Sequence, residues 1–220
     1  MNVQSVYINV LRHLAGPTKR RVRTAPSQDP EDLSQRLVAI EKKMAEYAKY
    51  EIETPLSTDE FQSALRVQQK GKLKLVTSLL RPYIESTEGR LQALEHIYKI
   101  TDHFVSTINA FLSDKSLSFT LSHGFAIHNS LRKPLEPAQL SSGEQQLLLL
   151  FCYVLTGRDQ PSVFMIDEPE ISLNIKWQRQ LVQSLLDITQ DACIQFIFAS
   201  HSMELLAQHR HRVIKLVNTP

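Results

Sequence analysis

The residues best suited to chemistry stand at the end of one apolar run. In SVFMIDEPE, Ser162 to Ile166 leads directly into Asp167 and Glu168. A buried strand that ends in two adjacent acids sets both carboxylates at its C-terminal edge, where an open α/β sheet places its ligands. There Asp167 can hold a magnesium ion, directly or through water, and Glu168 can orient or deprotonate an attacking water. A structural loop after a strand fits the same residues. The second element is LSSGEQ, Leu140 to Gln145. Ser141, Ser142 and Gly143 offer hydroxyls and unencumbered backbone N–H groups at a helix N-terminus, an arrangement that binds phosphate oxygens. An N-cap with Ser142 and Gln145 in a capping pattern is the simpler alternative. Ser172-Leu173-Asn174 follows the acids, and Ser200-His201-Ser202 follows the next apolar run. Consecutive parallel strands deliver their C-terminal ends to one edge, so His201 can meet the same phosphate as Glu168.

These residues need elements to position them. From Ser162 to Ile166 and from Ile194 to Ala199 the chain reads as two fully buried strands. Gln145 to Thr156 reads as an apolar helix and Ile175 to Thr189 as an amphipathic one, with a short helix at Met203 to Ala207 and a last strand at Arg212 to Val217. Strands alternating with helices predict a parallel sheet covered on both faces. Ahead of them, Ser118 to Leu121 and Phe125 to Ile127 suggest a hairpin built around Gly124. The first half is patterned differently. Leu33, Leu37, Ile40, Met44 and Tyr47 form one helical stripe, ended by Thr54 and Pro55. A helix is expected from Thr58 toward Gly71, another from Leu73 to Leu80 ending near Pro82, and a third stripe from Leu91 to Leu112. These helices fit either one arm of a coiled-coil hairpin or a pair of antiparallel amphipathic helices. Residues 1–115 are therefore expected to form a mainly helical region and residues 116–220 an α/β lobe.

The order LSSGEQ, IDEPE, ISLN, ASHS resembles the C-terminal half of an ABC-type ATPase of the SMC/RecF/OLD-like group. In that group these are the signature motif, Walker B, D-loop and H-loop. The resemblance covers residues 140–217. It implies the C-terminal lobe of a P-loop NTPase, with a parallel sheet flanked by helices and preceded by a helical insertion. It also implies ATP and Mg2+ as ligand and cofactor, with Asp167 at the metal, Glu168 as catalytic base and His201 as γ-phosphate sensor. Ser141, Ser142, Gly143, Gln145 and Asn174 become the nucleotide-binding set. Asn174 stands where many relatives carry Asp or His, which leaves its part in coupling across a dimer open. DEPEISLN is closer to the RecF and OLD-like ATPases, many of which act in DNA repair or antiphage defence, than to transporters.

The phosphate loop G-x-x-x-x-G-K-[ST] is not found: Gly16-Pro17-Thr18-Lys19 and Gly71-Lys72 each lack the required glycine spacing. The chain is thus expected to be a fragment, a split subunit or a degenerate paralogue that completes its site with a homodimer mate or a phosphate-loop-bearing partner. An ATP hydrolase active only when so completed and a non-catalytic interaction module both remain open. An independent serine hydrolase is excluded, because no G-x-S-x-G elbow exists. Lys19, Arg20, Arg21 and Arg23, with Arg12 nearby, form a basic cluster that fits DNA or RNA contact or a solvated loop. An effector nuclease is a further conceivable partner. With 220 residues, 42% apolar, and 25 basic against 23 acidic side chains, composition describes an ordinary folded domain. The longest apolar run, Leu147 to Leu155, is too short to cross a membrane, and a cytoplasmic location is expected. Cys152 and Cys193 are expected to be buried free thiols.

Overall fold

The computed structural model describes residues 30–66 and 69–214. The basic cluster at Arg12 and Lys19 to Arg23, the Gly16 to Lys19 segment and residues 215–217 of the expected last strand lie outside them. The chain forms two compact units. The first runs to Lys99 and takes in Thr120–Ser122; the second comprises Ile100–Phe119 and the residues from His123 onward.

In the first unit, α1 (Pro30–Ala48) carries Glu31 and Asp32 in its first turn, where acids complement the helix dipole. Its expected stripe, Leu33, Leu37, Ile40, Met44 and Tyr47, is buried. A short α2 (Asp59–Leu65) follows, and then α3 (Lys70–Phe111), a single helix of 42 residues. The expected break at Pro82 does not occur. Proline inside a helix costs about 3 kcal/mol. Here Leu80, Tyr83, Ile84 and Leu91, on both sides of it, are buried in the same core, and their packing outweighs that cost. Helix α2 also stops earlier than expected, at Arg66 rather than near Gly71.

The two long helices are not antiparallel. Arg36 binds Glu88 through two hydrogen bonds of 2.9 and 2.6 Å, Lys43 lies 3.5 Å from Glu95, and Tyr47 stacks on Tyr98 at 4.5 Å. Contact numbers rise together along both helices, so α1 runs parallel to this stretch of α3. The extended segment after Tyr50 and α2 lead the chain back along α1, where Thr58 bonds Glu41 and Gln62 bonds Ser34. Near the hairpin tip, Leu121 N–H donates to Tyr50 O at 3.0 Å, and Ser122 bonds the Glu51 carboxylate.

The second unit begins with the end of α3 and a small sheet ordered β1 (Lys115–Thr120), β2 (Gly124–Asn129), β3 (Pro134–Leu135). Gly124 takes a left-handed φ of 73° at the turn, as the hairpin reading requires. A 3-10 turn at Pro137–Gln139 leads into α4 (Ser142–Thr156), then β4 (Ser162–Asp167), α5 (Ile175–Ile188), β5 (Ile194–Ala199) and α6 (Met203–Leu206). β4 and β5 pair in parallel from Ser162↔Ile194 to Asp167↔Ala199. Helix α5 buries Trp177, Leu181, Leu185 and Ile188, and Trp177 meets Phe111 edge to face at 6.0 Å.

Two expectations fail here for one reason: among the described residues, nothing covers the outer face of β4 and β5. The strands are not fully buried; Val163 is 59% and Met165 78% exposed, while Phe164 and Phe196 on the other face are half-buried and stack at 5.7 Å. Helices therefore do not cover both faces. Both cysteines are free, as expected, but exposed: Cys152 lies on the outward side of α4 beside the exposed Tyr153, and Cys193 precedes β5. At Arg212, where the last strand was expected to start, a 3-10 turn (Arg210–Arg212) uses the amides a ladder needs: Arg212 N–H bonds His209 O and Val213 N–H bonds Arg210 O. No helix among the described residues is long and apolar enough to cross a membrane.

Candidate functional site

Parallel pairing brings Asp167 and Ala199 level at the C-terminal edge, so the turns after both strands emerge together. Glu168 N–H donates to Ala199 O at 2.8 Å, which holds the two turns side by side. Glu168 itself adopts φ 44°, a conformation non-glycine residues rarely take. His201 Nε2 lies 3.4 Å from Glu168 Oε1. Both are open to solvent, His201 at 92% and Glu168 at 40% side-chain exposure. Asp167 is exposed beside them. The structure thus sets Glu168 against His201, with Asp167 at the end of the same strand and level with Ala199.

Behind them stands a residue the motif reading quoted but did not use. Glu170 Oε1 accepts from Ser200 Oγ at 2.5 Å, from His201 N–H at 3.0 Å and from Ser202 N–H at 3.1 Å. Burial pushes its carboxyl up, but the Ser200 hydroxyl and the backbone N–H groups outweigh burial and hold it below the ordinary carboxylate value. Gln178 extends the network: it accepts from Ser202 Oγ at 2.7 Å and donates to Leu173 O at 2.9 Å.

The signature residues form a second cluster. Ser141, not Ser142, is the N-cap of α4, and its partner is Glu144 rather than Gln145. The helix starts one residue after this extended serine. Ser141 N–H and Oγ both donate to Glu144 Oε2, at 2.8 and 2.9 Å, and Glu144 N–H donates back to Ser141 Oγ at 3.3 Å. The Ser141 hydroxyl is therefore spent within the cap. Glu144 is buried and takes Lys115 Nζ on Oε1 at 3.0 Å, a pair invisible in a sequence separation of 29 residues. Burial raises the Glu144 carboxyl, but Ser141 and Lys115 together hold it lower than usual. Gln145 donates its amide to Pro137 O and Leu140 O, so it secures the turn before the helix. Ser142 stays exposed at the first helical position.

Gly143 joins this cluster to the loop after Glu170. A Cβ built at Gly143 would lie 2.4 Å from the carbonyl oxygen of Ser172, a residue at φ 65°. Asn174 then caps α5, its side chain accepting from Trp177 N–H at 2.9 Å. Its amide oxygen is thus engaged locally.

No three His, Cys, Asp or Glu side chains converge as a ligand set among the described residues. Mg2+ is commonly held by one or two carboxylates together with substrate phosphates. The exposed Asp167 carboxylate fits such a role.

A parallel strand pair with acids at its C-terminal edge, a capped helix start and a histidine at the neighbouring strand end fit an ABC-type ATPase. A family model matches residues 20–207, and the chain belongs to that family, described as "AAA domain, putative AbiEii toxin, Type IV TA system". Among curated proteins the chain is 36% identical over 69 residues to the spermidine/putrescine import ATP-binding protein PotA of Pseudomonas fluorescens, covering 31% of this chain and 18% of that one. It is 33% identical over 82 residues to the molybdenum import ATP-binding protein ModC of Escherichia coli, covering 37% and 22%. The matches thus span about a fifth of these relatives' length. The SMC head domain from Thermotoga maritima is similar at 19% identity and TM-score 0.37, over 49% of this chain and 39% of that one. An Smc head domain with an extended coiled coil, bound to the C-terminal domain of ScpA from Pyrococcus furiosus, is similar at 13% identity and TM-score 0.39, over 93% and 48%.

Proposed function

We propose that this chain is the C-terminal lobe of an ATP-hydrolysing head whose site is completed by a phosphate-loop-bearing lobe, on a longer chain, a homodimer mate or a partner subunit. The observation that carries this reading is the convergence of Asp167, Glu168 and His201 at one strand edge, with Glu168 and His201 3.4 Å apart. Glu168 accepts the proton of the attacking water, and its half-exposed carboxylate leaves room for one. His201, held by Glu168, presents its ring to the γ-phosphate. Ser142 and the backbone N–H groups at the start of α4 supply donors to a phosphate bound on the completing lobe. Asp167 would hold Mg2+, which offsets phosphate charge when bound. The setting we propose is a toxin, defence or DNA-repair system, with nucleic acid or a nuclease as candidate partners; the family's description as a putative toxin of a type IV TA system supports the first of these.

The test is ATP turnover by the chain assembled with a phosphate-loop lobe, wild type against Glu168→Gln. Loss of at least about 10²-fold in kcat is expected from removing the base. Equal turnover in the variant would refute the assignment. A second reading, a non-catalytic interaction module, is favoured by the exposed apolar face of Val163, Met165 and Ile197. An assembly that forms through this face but hydrolyses no ATP would establish it.

A further inference from the structure

His201 has no packing to hold its ring, since the side chain is 92% exposed. Its position against Glu168 therefore depends on the backbone turn that carries it. That turn, Ser200 to Ser202, is gripped from the side by a single oxygen: Glu170 Oε1 takes the Ser200 hydroxyl and the backbone N–H groups of both His201 and Ser202. Ser202 N–H also meets Ser200 Oγ at 3.0 Å, closing the turn on itself. Three donors converging on one oxygen is the geometry of an ionised carboxylate. The other oxygen, Oε2, is buried and has no hydrogen-bond partner. Glu170 is thus neither exposed to a substrate nor poised to exchange a proton; what it does is hold the neighbouring turn. It lies two residues beyond Glu168, on the same tight loop, where Ile171 N–H donates to Glu168 O at 3.1 Å and Leu173 N–H to Glu170 O at 3.0 Å. One short segment therefore carries both the proposed base and the clamp on its histidine partner.

We infer that Glu170 is a positioning residue that fixes the turn after β5 so that His201 stays against Glu168. This rests on the ATPase reading for its catalytic consequence, but the clamp itself is a property of the free chain. Two readouts separate the two. The first is the His201 imidazole nitrogen shift in the full chain, followed by NMR. In wild type it should respond to Glu168→Gln; in Glu170→Ala that response should disappear, because the ring no longer rests on Glu168. The second is a double-mutant cycle in the assembled ATPase. Glu170→Ala should lower kcat about 10- to 100-fold, the scale of a small misplacement of a reacting group, with KM for ATP changed by less than about threefold. Adding Glu170→Ala to His201→Ala should cost nothing more. An imidazole that still senses Glu168 in Glu170→Ala, or additive losses in the cycle, would overturn the inference. Should Glu170→Ala fail to fold, Ser200→Ala removes one of the three donors without disturbing the core and must weaken the same imidazole response; an unchanged response overturns the inference equally. A wild-type assembly without ATP turnover would sink the ATPase reading alone, and the imidazole readout would still decide whether Glu170 clamps His201.

Discussion

The two units of this chain solve the burial problem differently. The first closes its core: Leu33, Leu37, Phe61, Leu80 and Ile84 are wholly buried. The second leaves apolar side chains in solvent on one sheet face, with Val163, Met165 and Ile197 all strongly exposed. Yet both faces of its strands are apolar, the composition of a sheet meant to be covered twice. A closed core folds for its own stability, whereas an apolar face left in solvent gains stabilisation only when something covers it. The acid edge belongs to the unit with the exposed face, which fits the proposal of a site completed by another lobe.

The comparison is broken or sharpened most strongly by core truncation. Phe61→Ala, which removes a buried ring stacked on Tyr83 at 5.3 Å, should cost about 3–5 kcal/mol in the first unit. Segment-resolved hydrogen exchange should show that loss confined to residues of the first unit; an equal loss around β4 and β5 would mean that the units are not energetically separate. Next is Lys115→Met, which leaves the buried Glu144 without its cation. It should cost about 1–3 kcal/mol and loosen the start of α4, read as faster amide exchange there. Gly143→Ala should be of similar size, about 1–3 kcal/mol, because its methyl group meets the Ser172 carbonyl. Denaturant unfolding measures it, and a neutral result would show that the loop yields.

Acid should act more gently, and on named groups. Glu144 and Glu170 both titrate below the ordinary carboxylate value in the folded chain. Their contribution is fully present above the unfolded-state value and is lost as pH falls through the lowered one. Stability of the second unit should therefore decline on acidification below the usual carboxylate range, and Glu170→Gln should flatten part of that decline. An unaltered pH profile in that variant would count against its role as an anion. Glu88, lowered chiefly by its bond to Arg36, gives the first unit a similar slope, but a smaller one because both side chains are partly exposed. The smallest effect is expected from Met165→Thr: within about 0.5 kcal/mol for the chain alone, yet a marked weakening of assembly with a completing lobe, measured by titration. Full assembly by this variant would mean that the face is not where the lobe docks.

Much of this was legible in the residues. The stripe from Leu33 to Tyr47, the turn at Gly124, both strands of the parallel pair and the meeting of Glu168 with His201 follow from periodicity and from strand ends sharing one edge. What escaped was long-range. Lys115 and Glu144 are paired although nothing in their local patterns marks them, and the parallel course of α1 and α3 emerges only from Arg36 with Glu88 and Tyr47 with Tyr98. Pro82 misled because local preference argued for a break while tertiary packing outweighed it. Glu170 was visible as the third acid of DEPE, but a carboxylate's role depends on which donors face it.

Sequence alone determined the helical stripe from Leu33 to Tyr47, the two strands that pair in parallel, and which acids stand at a strand end, because hydrophobic period and abrupt polarity changes are local properties of the chain. Only the tertiary structure decided that one oxygen of Glu170 gathers the turn bearing His201, that Lys115 pairs with the buried Glu144, and that, among the described residues, one face of β4 and β5 stays uncovered. Those outcomes depend on distances between residues far apart in the chain, and such distances are set by packing rather than by pattern.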